Sequence, residues 1–202
     1  MKKKKLEIEL QKVPSFSKPV PHLEQYLTPA TVASDIIFIA YQFGDIEDKI
    51  VIDLGCGTGI FSVGAYLLGA KKIIGVDVDK NCITTAKEYA NKNNFEIEFK
   101  VQDIQDVNEK CDTIVMNPPF GAQKSNLQAD RRFIEKGSQS AGILYSLHLT
   151  KTVPFIEKLI AALTGEITYQ KEYSFPIKWM FSFHQKEVKT YEVTLLRIET
   201  NK

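Results

Sequence analysis

Cysteine is scarce in this sequence, and its few cysteines are not spaced as metal-binding or redox pairs. The chain has 202 residues and three cysteines, Cys56, Cys82 and Cys111, with no Cys-x-x-Cys motif among them. An odd number of widely spaced cysteines predicts reduced thiols rather than a disulfide framework or a zinc site. We therefore expect a cytoplasmic protein without a metal site.

The sequence also lacks an apolar run long enough to span a membrane, and its N-terminus lacks an apolar signal segment. Hydrophobic residues make up 44% of the chain and charged residues 25%, which is typical of a globular protein with a substantial core. A net charge of +1 neither favours nor excludes nucleic acid, so only a local patch can indicate that partner. We expect a single domain over residues 1–202, with a basic, proline-containing extension over residues 1–21 and no membrane partner.

The glycine-rich segment lacks the spacing of a dinucleotide-binding or phosphate-binding loop. An apolar strand is predicted over residues 49–54, and glycines alternate from Gly55 to Gly59 before a helix predicted over residues 60–68. Ile60 occupies the position where G-x-G-x-x-G needs its last glycine, and no Gly-Lys-Ser/Thr follows. Strand, glycine turn and helix nevertheless form the opening of a Rossmann-like unit, where the backbone approaches a ligand closely.

Strand and helix patterns continue to alternate along the chain, and this alternation predicts the fold class. Apolar runs and period-two patterns predict further strands over residues 72–76, 95–101, 112–116, 142–148, 166–173 and 188–198. Helical periodicity and end signals predict helices over residues 6–12, 29–43, 80–91, 130–136 and 152–162. These elements predict an α/β protein with a Rossmann-like, doubly wound, seven-stranded sheet, mostly parallel and with a C-terminal antiparallel hairpin.

Acidic side chains follow the second and third predicted strands. Asp77 ends the second strand, where a carboxylate in this class of fold accepts hydrogen bonds from ribose hydroxyls. Asp79 is the expected N-cap of the next helix, which leaves Asp77 for a ligand. Asp103 and Ile104 follow the third strand, where an acidic and an apolar side chain can bind an adenine amine and pack on its ring.

The sequence Asn117-Pro118-Pro119-Phe120 follows the fourth predicted strand and combines an amide, two prolines and an aromatic ring. Consecutive prolines stiffen the turn and leave carbonyl oxygens that have no competing N–H group. These oxygens can accept hydrogen bonds from an exocyclic NH2, while the ring of Phe120 stacks on a base. Taken alone, an ordinary Asn-Pro turn is an equally good explanation.

The segment before the second predicted helix has two interpretations. Thr28 and Pro29 fit the N-cap and the first position of that helix. Alternatively, Gln25 and Thr28 are the polar groups of a lid segment that meets a ligand. The sequence leaves both interpretations open.

Three basic segments are candidates for contact with nucleic acid. The lysine run over residues 2–5 is expected to be a frayed, solvated end in preference to an RNA-binding arm. Arg131, Arg132 and Lys136 fit phosphate contact and a solvated helix face equally well. Residues 175–186 interleave aromatic and basic side chains, which slightly favours stacking on unpaired RNA bases over packing in the core.

The third predicted strand, over residues 95–101, alternates strictly between apolar and charged side chains. In a doubly wound sheet this strand lies at an edge, and its outward Glu96, Glu98 and Lys100 fit ordinary edge protection. The less frequent alternative is a docking edge to which a partner protein adds a strand.

Several of these motifs occur together in one family. They are Leu23-Glu24-Gln25-Tyr26 with Thr28, Asp53-Leu54-Gly55-Cys56-Gly57, Met116-Asn117-Pro118-Pro119-Phe120-Gly121, Tyr145-Ser146-Leu147-His148, Phe183-His184-Gln185-Lys186 and Glu192-Val193. The pairing of D-x-G-x-G-x-G with N-P-P-F resembles class I S-adenosylmethionine-dependent methyltransferases of amino groups. Over nearly its whole length, the chain more closely resembles the archaeal and eukaryotic "methyltransferase-like five" type of small-subunit ribosomal RNA adenine-N6 methyltransferase.

This resemblance implies a cofactor, a substrate and a partner. The cofactor is S-adenosylmethionine, and the resemblance implies contacts to it from Gln25, Thr28, Gly55, Thr58, Ile60, Asp77, Asp103 and Ile104. It implies that Asn117, Pro118, Pro119 and Phe120 hold a target adenine of small-subunit ribosomal RNA during methyl transfer to its N6 amine. It also implies a small zinc-ribbon activator protein docked along residues 95–101.

Two alternatives remain open at this point. The same turn can hold another planar amine, such as a DNA adenine, the N4 amine of cytosine or a protein glutamine amide. The second alternative is a non-catalytic binding protein that keeps the fold, against which the intact glycine loop, Asp77 and Asn117 argue.

Overall fold

A seven-stranded mixed sheet is the centre of the structure, a computed structural model that describes residues 1–16, 20, 23–120, 128–178 and 188–201. The strands are β1 (Ile50–Leu54), β2 (Lys72–Asp77), β3 (Glu98–Val101), β4 (Cys111–Met116), β5 (Ala141–Leu149), β6 (Glu166–Lys178) and β7 (Val188–Glu199). Their order across the sheet is β3-β2-β1-β4-β5-β7-β6. Strands β1 to β5 pair in parallel, whereas β7 runs antiparallel to both β5 and β6. The predicted fold class is confirmed.

Helices cover the sheet on both faces. They are α1 (Lys3–Leu10), α2 (Ala30–Gln42), α3 (Ile60–Leu67), α4 (Lys80–Lys92), α5 (Ala129–Ser140) and α6 (Val153–Ala162). Short 3₁₀ helices occupy Ile104–Asp106 and Thr150–Thr152. None of the helices in the described part of the chain combines the length and apolar composition needed to cross a membrane.

Alternate side chains of the central strands pack into two separate hydrophobic cores, one on each face of the sheet. Val51 of β1 packs into the core that α1, α2 and α3 cover, whereas its neighbour Ile52 packs into the core beneath α5 and α6. The same alternation separates Ile73 from Ile74 in β2. Strands buried on both faces require near-continuous apolar sequence, which explains why β1, β2 and β4 are recognisable as short apolar runs.

The N-terminal lysine run belongs to a folded helix, so the prediction of a frayed end is wrong for most of it. The helix predicted over residues 6–12 instead spans Lys3–Leu10. Leu6 and Leu10, four residues apart on one helix face, are buried in the core that α1, α2 and α3 cover. Lys3 also forms an ion pair with the buried Asp35 of α2. Burial of Leu6 and Leu10 and this ion pair order the segment, while the lysines at positions 2–5 are exposed to solvent as predicted.

The third strand is an edge strand as predicted, but it is shorter than the alternating pattern indicated. Of residues 95–101, only Glu98–Val101 pair with β2. The ring of Phe95 instead packs between two tyrosines, with ring centroids 5.0 Å from Tyr66 and 6.2 Å from Tyr89. These aromatic contacts take the first predicted strand residues out of the sheet.

A buried histidine connects β5 to the beginning of α5. His148 is fully buried, and its Nδ1 lies 2.8 Å from Oδ1 of Asp130 while its Nε2 lies 2.7 Å from Oγ of Ser146. Because Asp130 is in the first turn of α5, this chain of hydrogen bonds fixes the position of the helix. The same helix carries Phe133, whose ring reaches the glycine loop.

Asp53 connects β1 to α3 beneath the glycine loop. Its Oδ2 accepts hydrogen bonds from the Ser62 amide at 2.9 Å and the Ser62 hydroxyl at 2.7 Å. Its Oδ1 is buried and has no hydrogen-bond partner among the described residues. Burial raises the pKa of Asp53 from 3.8 to about 7, although the two Ser62 hydrogen bonds oppose this shift. The carboxyl is therefore protonated in the folded protein at mildly acidic pH.

The raised pKa of Asp53 predicts a stability change with pH that Asp53→Asn removes. Between pH 3.8 and about 7 the folded state binds a proton that the unfolded state releases, so stability falls as pH rises through this window. The size of this contribution is on the order of 2–4 kcal/mol. In urea unfolding at several pH values, we expect the wild type to lose stability as pH rises from 4 to 7. Asp53→Asn lacks this titration, so its free energy of unfolding should increase relative to that of wild type over the same range.

Asp106→Asn, which removes a carboxylate at an exposed position, is the control for the loss of one negative charge. A stability difference between Asp53→Asn and wild type that is constant from pH 4 to 7 would contradict the raised pKa.

Candidate active site

A cavity of about 230 Å³ opens where the parallel strands β1, β2 and β4 and the segment after β3 end. Carboxyl ends of adjacent parallel strands are where open α/β sheets bind ligands. All of the site residues predicted from the sequence line this one cavity. They are Gln25, Thr28, Gly55, Thr58, Ile60, Asp77, Asp103, Ile104, Asn117, Pro118, Pro119 and Phe120. The structure therefore brings the predicted cofactor residues and the predicted amine-binding turn together.

The glycine loop after β1 exposes its backbone because Gly55 and Gly57 carry no side chains. Gly55 and Gly57 have φ values of +70° and +54°, which L side chains rarely adopt. A Cβ atom at Gly55 would lie 3.2 Å from the Phe133 ring, and one at Gly57 would lie 3.1 Å from the Phe16 ring. The loop thus exposes bare backbone between two aromatic rings that sequence reasoning did not place in the site.

Asp77 is at the predicted position at the end of β2, but it is already hydrogen-bonded to the protein. Its Oδ2 accepts from the Gly57 amide at 2.8 Å, and its Oδ1 accepts from the Asp79 amide at 2.9 Å. Burial raises its pKa, and these two hydrogen bonds oppose the shift. Asp79 is the N-cap of α4, as predicted, because its side chain accepts from the Asn81 amide. Asp77 therefore does not cap the helix, and although both of its oxygens have protein partners, each keeps a second lone pair, so its predicted contact with a ligand stays a prediction.

Asp103 and Ile104 form the next part of the cavity wall. Ile104 is buried, whereas Asp103 is nearly half exposed and accepts a hydrogen bond from the Gln105 amide at 2.9 Å. A nitrogen of Arg132 lies 3.6 Å from the same Asp103 oxygen. Arg132 thus stands at the rim of the cavity with its charge partly compensated.

Gln25 joins the segment before α2 to the beginning of α4. Its Oε1 accepts from the Val20 amide at 2.7 Å, and its Nε2 donates to Oδ2 of Asp79 at 2.7 Å. Both ends of the Gln25 amide are therefore engaged with the protein. We call residues 23–28 the lid segment, because it lines the cavity and is held across it by this amide.

Thr28, the last residue of the lid segment, does not cap α2. The helix begins at Ala30 with Pro29 as its N-cap residue, and no side chain caps it. The predicted cap is wrong because the Thr28 hydroxyl is used elsewhere: its Oγ1 accepts a hydrogen bond from Nδ2 of Asn117 at 3.0 Å. Gln25 and Thr28 line the cavity, as the lid interpretation requires, but their polar groups bond to the protein, and their contact with a ligand stays a prediction.

The two ends of the Asn117 amide are in different situations. Nδ2 is held by Thr28, whereas Oδ1 is buried and has no hydrogen-bond partner among the residues that the structure describes. A buried acceptor without a partner costs about 1–3 kcal/mol, so an oxygen in this state favours binding of a donor. Pro118 and Pro119 follow along the same wall and contribute no N–H groups.

Phe120 is covered by neighbouring rings. Its ring lies nearly parallel to Tyr26, with centroids 6.2 Å apart, and perpendicular to Phe175, with centroids 6.0 Å apart. Phe120 is only 7% exposed as a result. The stacking role predicted for Phe120 therefore requires Tyr26, which belongs to the lid segment, to move.

The cavity fits a ligand that has both a polar and an apolar part. Thr58 Oγ1 is buried without a hydrogen-bond partner in the described part of the chain, and it lines the cavity beside the bare glycine backbone. Ile104 and Phe133 provide apolar surface nearby. Together with the carboxylate of Asp77, these groups suit the amino-acid part, the ribose and the adenine ring of S-adenosylmethionine.

The structure also decides between alternatives for the basic segments. Lys136 is buried and donates to the Gln105 carbonyl at 2.8 Å, and Arg131 pairs with Glu135 at 2.7 Å. Lys136 is therefore excluded from phosphate contact, whereas Arg131 and Arg132, which are 55% and 54% exposed, both remain open to it. Of residues 175–186, Phe175 is a core residue, whereas Trp179, Phe181 and Phe183 lie outside the described residues.

Comparison with known proteins agrees with this site. Residues 35–118 match the profile of the ribosomal protein L11 methyltransferase (PrmA) family. The structure superposes on the crystal structure of the Pyrococcus horikoshii protein PH1948 with a TM-score of 0.91, at 37% identity and covering 99% of this chain and 98% of the other. Magnesium protoporphyrin IX methyltransferase of Synechocystis, solved with bound S-adenosylmethionine, shares the fold at 18% identity and a TM-score of 0.66, over 83% and 78% of the two chains. S-adenosylmethionine, the predicted cofactor, is confirmed by the match to a methyltransferase family together with the methyltransferase relatives described next.

Curated relatives identify the family. The rRNA N(6)-adenosine-methyltransferase Mettl5 of Drosophila melanogaster is 35% identical over 98% of this chain and 97% of its own length. The enzyme METTL5 of Danio rerio, of the same name, is 33% identical over 98% of both chains. With identity above 30% over nearly the full length, the chain belongs to the METTL5 family of rRNA N(6)-adenosine-methyltransferases.

Proposed function

We propose that this protein transfers a methyl group from S-adenosylmethionine to the N6 amine of an adenine in small-subunit ribosomal RNA. The observation that carries the proposal is the Asn117 amide, which lines the cavity and whose buried oxygen has no hydrogen-bond partner among the described residues. An exocyclic adenine amine has two N–H groups and therefore needs acceptors. Membership of the family supports ribosomal RNA as the source of the adenine, while the choice of the small subunit comes from the sequence resemblance.

The residues that would hold the cofactor are those around the glycine loop. The backbone at Gly55 and Gly57, the hydroxyl of Thr58, the carboxylate of Asp77 and the apolar side chain of Ile104 line one side of the cavity. When bound, S-adenosylmethionine supplies an electrophilic methyl group on a sulfonium. The predicted contribution of Gln25 is indirect in this proposal, because hydrogen bonds within the protein engage both ends of its amide. Asp103 stays a direct contact, because the Gln105 amide and Arg132 both approach its Oδ1, and its Oδ2 is the atom proposed to accept from the adenine amine of the cofactor.

The amine-binding turn supplies position and polarity instead of a strong base. The lone pair of an aromatic amine is delocalised into its ring, which makes the amine a poor nucleophile. We propose that Oδ1 of Asn117 and the carbonyl oxygen of Pro118 each accept one N–H of the amine. Two such hydrogen bonds favour a pyramidal nitrogen and direct its lone pair towards the methyl group, so the gain comes from orientation and electrostatics.

The target adenine must leave its stack to reach the cavity. We propose that it takes the place of Tyr26 against the ring of Phe120, because these two rings already lie nearly parallel at 6.2 Å. Displacing Tyr26 exposes Phe120, which compensates the base for its lost stacking. Arg132, about half exposed at the rim, is then available for an RNA phosphate.

A zinc-ribbon activator protein remains part of the proposal, docked on the edge of β3. Within the described residues, the backbone of Glu98–Val101 pairs on one side only, with β2. Val101 and Val78 are 52% and 47% exposed, and Val101 pairs with Asp77, the residue before Val78. An edge with adjacent exposed apolar side chains suits a partner that adds a strand.

The experiment that tests the proposal is methyl transfer from labelled S-adenosylmethionine to ribosomal subunits. Small and large subunits and naked RNA are taken from a strain in which the gene for this chain is deleted, so that the target is unmodified. Nucleosides and proteins are then analysed separately, with and without a candidate zinc-ribbon protein. We expect label in N6-methyladenosine of small-subunit RNA.

Other distributions of label would overturn parts of the proposal. Label in N6-methyladenosine of large-subunit RNA alone would contradict the choice of subunit. Label in a glutamine amide or in another nucleoside would contradict the adenine substrate. Cofactor binding without transfer to any fraction, even with the partner, would indicate a binding protein.

Asn117→Ala separates the amine site from the cofactor site. Loss of the amide removes the acceptor for the amine, so we expect methyl transfer to fall by about a thousandfold or more. Affinity for S-adenosylmethionine, measured by calorimetry, should stay within about threefold of wild type. Asn91→Ala, at an exposed position of α4, is the matched control and should retain full activity. An active Asn117→Ala enzyme would show that the amide does not hold the amine.

Val101→Lys tests the docking edge. A charged side chain at an exposed edge position opposes the addition of a strand, so we expect affinity for the zinc-ribbon protein to fall by about tenfold or more. The measurement is titration of the purified partner, followed by size-exclusion chromatography of the mixture. Ile8→Lys, which alters a similarly exposed apolar residue on α1, should bind normally. Equal binding by both variants would rule out this edge as the interface.

A further inference from the structure

The hydrogen bond between Thr28 and Asn117 determines which end of the amide faces the cavity. An asparagine side chain carries an acceptor at one end and a donor at the other, and the two ends have nearly the same shape. Here Nδ2 donates to Thr28 Oγ1 at 3.0 Å, which leaves Oδ1 as the end without a protein partner among the described residues. The reverse orientation would present N–H groups to a substrate amine, which is itself a donor.

Thr28 is well placed to hold this orientation because the chain is fixed on both sides of it. On one side Gln25 fastens the lid segment to Asp79 at 2.7 Å. On the other side Pro29 leads directly into α2, whose buried apolar residues belong to the core that α1, α2 and α3 cover. Thr28 itself is only 4% exposed. A hydroxyl held in this way can restrict a neighbouring side chain to a single rotamer.

We propose that Thr28 is a positioning residue for the methyl-transfer step: its hydroxyl holds Asn117 with the amide oxygen towards the substrate amine. This inference rests on the proposed function, in which Asn117 accepts from that amine. It differs from the cofactor contact that the sequence implied for Thr28, because its effect falls on the chemical step. If the amide is misplaced or reversed, the substrate amine is no longer oriented towards the methyl group and the rate of transfer falls. The groups that line the cofactor half of the cavity are unchanged.

The position of Thr28 also couples the two halves of the cavity. The lid segment contacts Asp79, next to the Asp77 cofactor site, through Gln25 and contacts the amine site through Thr28. Tyr26, between them, lies against Phe120. When the lid segment is closed over the cofactor, Thr28 therefore contacts Asn117. The Asn117 amide is then correctly oriented for the substrate amine.

The test compares Thr28→Val with Thr28→Ser. Valine keeps the shape of threonine but cannot accept a hydrogen bond, whereas serine keeps the hydroxyl. We expect Thr28→Val to lower the single-turnover rate of methyl transfer by about tenfold to a hundredfold, with the Kd for S-adenosylmethionine within about threefold of wild type. Thr28→Ser should restore most of the rate. Thr31→Val, the same substitution at an exposed position of α2, should be unaffected.

A double variant identifies the residue through which Thr28 acts. In the Asn117→Ala background, Thr28→Val should cause little further loss, because the side chain that it positions is gone. A Thr28→Val enzyme with a wild-type rate would overturn the proposal. A parallel loss of cofactor affinity and rate would overturn it as well, since that result assigns Thr28 to the cofactor.

An activity-independent measurement keeps this inference separate from the proposed function. Nuclear magnetic resonance of protein with ¹⁵N-labelled asparagine reports the Asn117 side-chain NH2, which is assigned from its absence in Asn117→Ala. We expect its protons to exchange with water at least about tenfold faster in Thr28→Val than in wild type, Thr28→Ser or Thr31→Val. Equal exchange in all four proteins would disprove the positioning role, whatever substrate is methylated.

Discussion

The parallel pairing of β1 with β2 and β4 is the constraint on which the whole site depends. Leu54 lies opposite both Val76 and Met116, so the three strands end in register and their following turns meet at one edge. The glycine turn, the acidic turn and the Asn117 turn are far apart in sequence but become neighbours for this reason alone. Burial of the strands on both faces then holds that register, because a one-residue slip would exchange the two cores.

The lid segment turns this strand edge into a cavity with two chemically different halves. One half has bare glycine backbone, a buried hydroxyl and a carboxylate, and the other has an amide oxygen, two prolines and paired rings. Gln25 and Thr28 fasten the lid to one half each. Within the described part of the chain, the Asn117 oxygen is a buried acceptor without a partner, and the proposed hydrogen bond from a substrate amine would offset the cost of burying it. Such an arrangement favours a substrate that donates hydrogen bonds over one that can only accept them.

The strands, the fold class and the residues of the cavity could be predicted from the sequence because each depends on residues that are close together in the chain. Apolar runs, glycines at positive φ and the proline pair act within a few residues of their own position. Sequence reasoning failed where contacts between residues distant in sequence determine the structure. Burial of Leu6 and Leu10 in the core orders the lysine run as a helix, and the Thr28 hydroxyl bonds to Asn117 instead of capping α2. Phe16 and Phe133 were missed because an isolated phenylalanine gives no signal of the loop that it covers.

A crystal structure with S-adenosylhomocysteine and an adenosine-containing oligonucleotide tests the central claim most directly. The account predicts the adenine N6 at about 2.7–3.2 Å from both Asn117 Oδ1 and the Pro118 carbonyl oxygen. It also predicts that Thr28 Oγ1 still accepts from Nδ2 and that the base lies against Phe120 with Tyr26 displaced. An adenine whose N6 points away from Asn117, or one bound outside this cavity, would contradict the account.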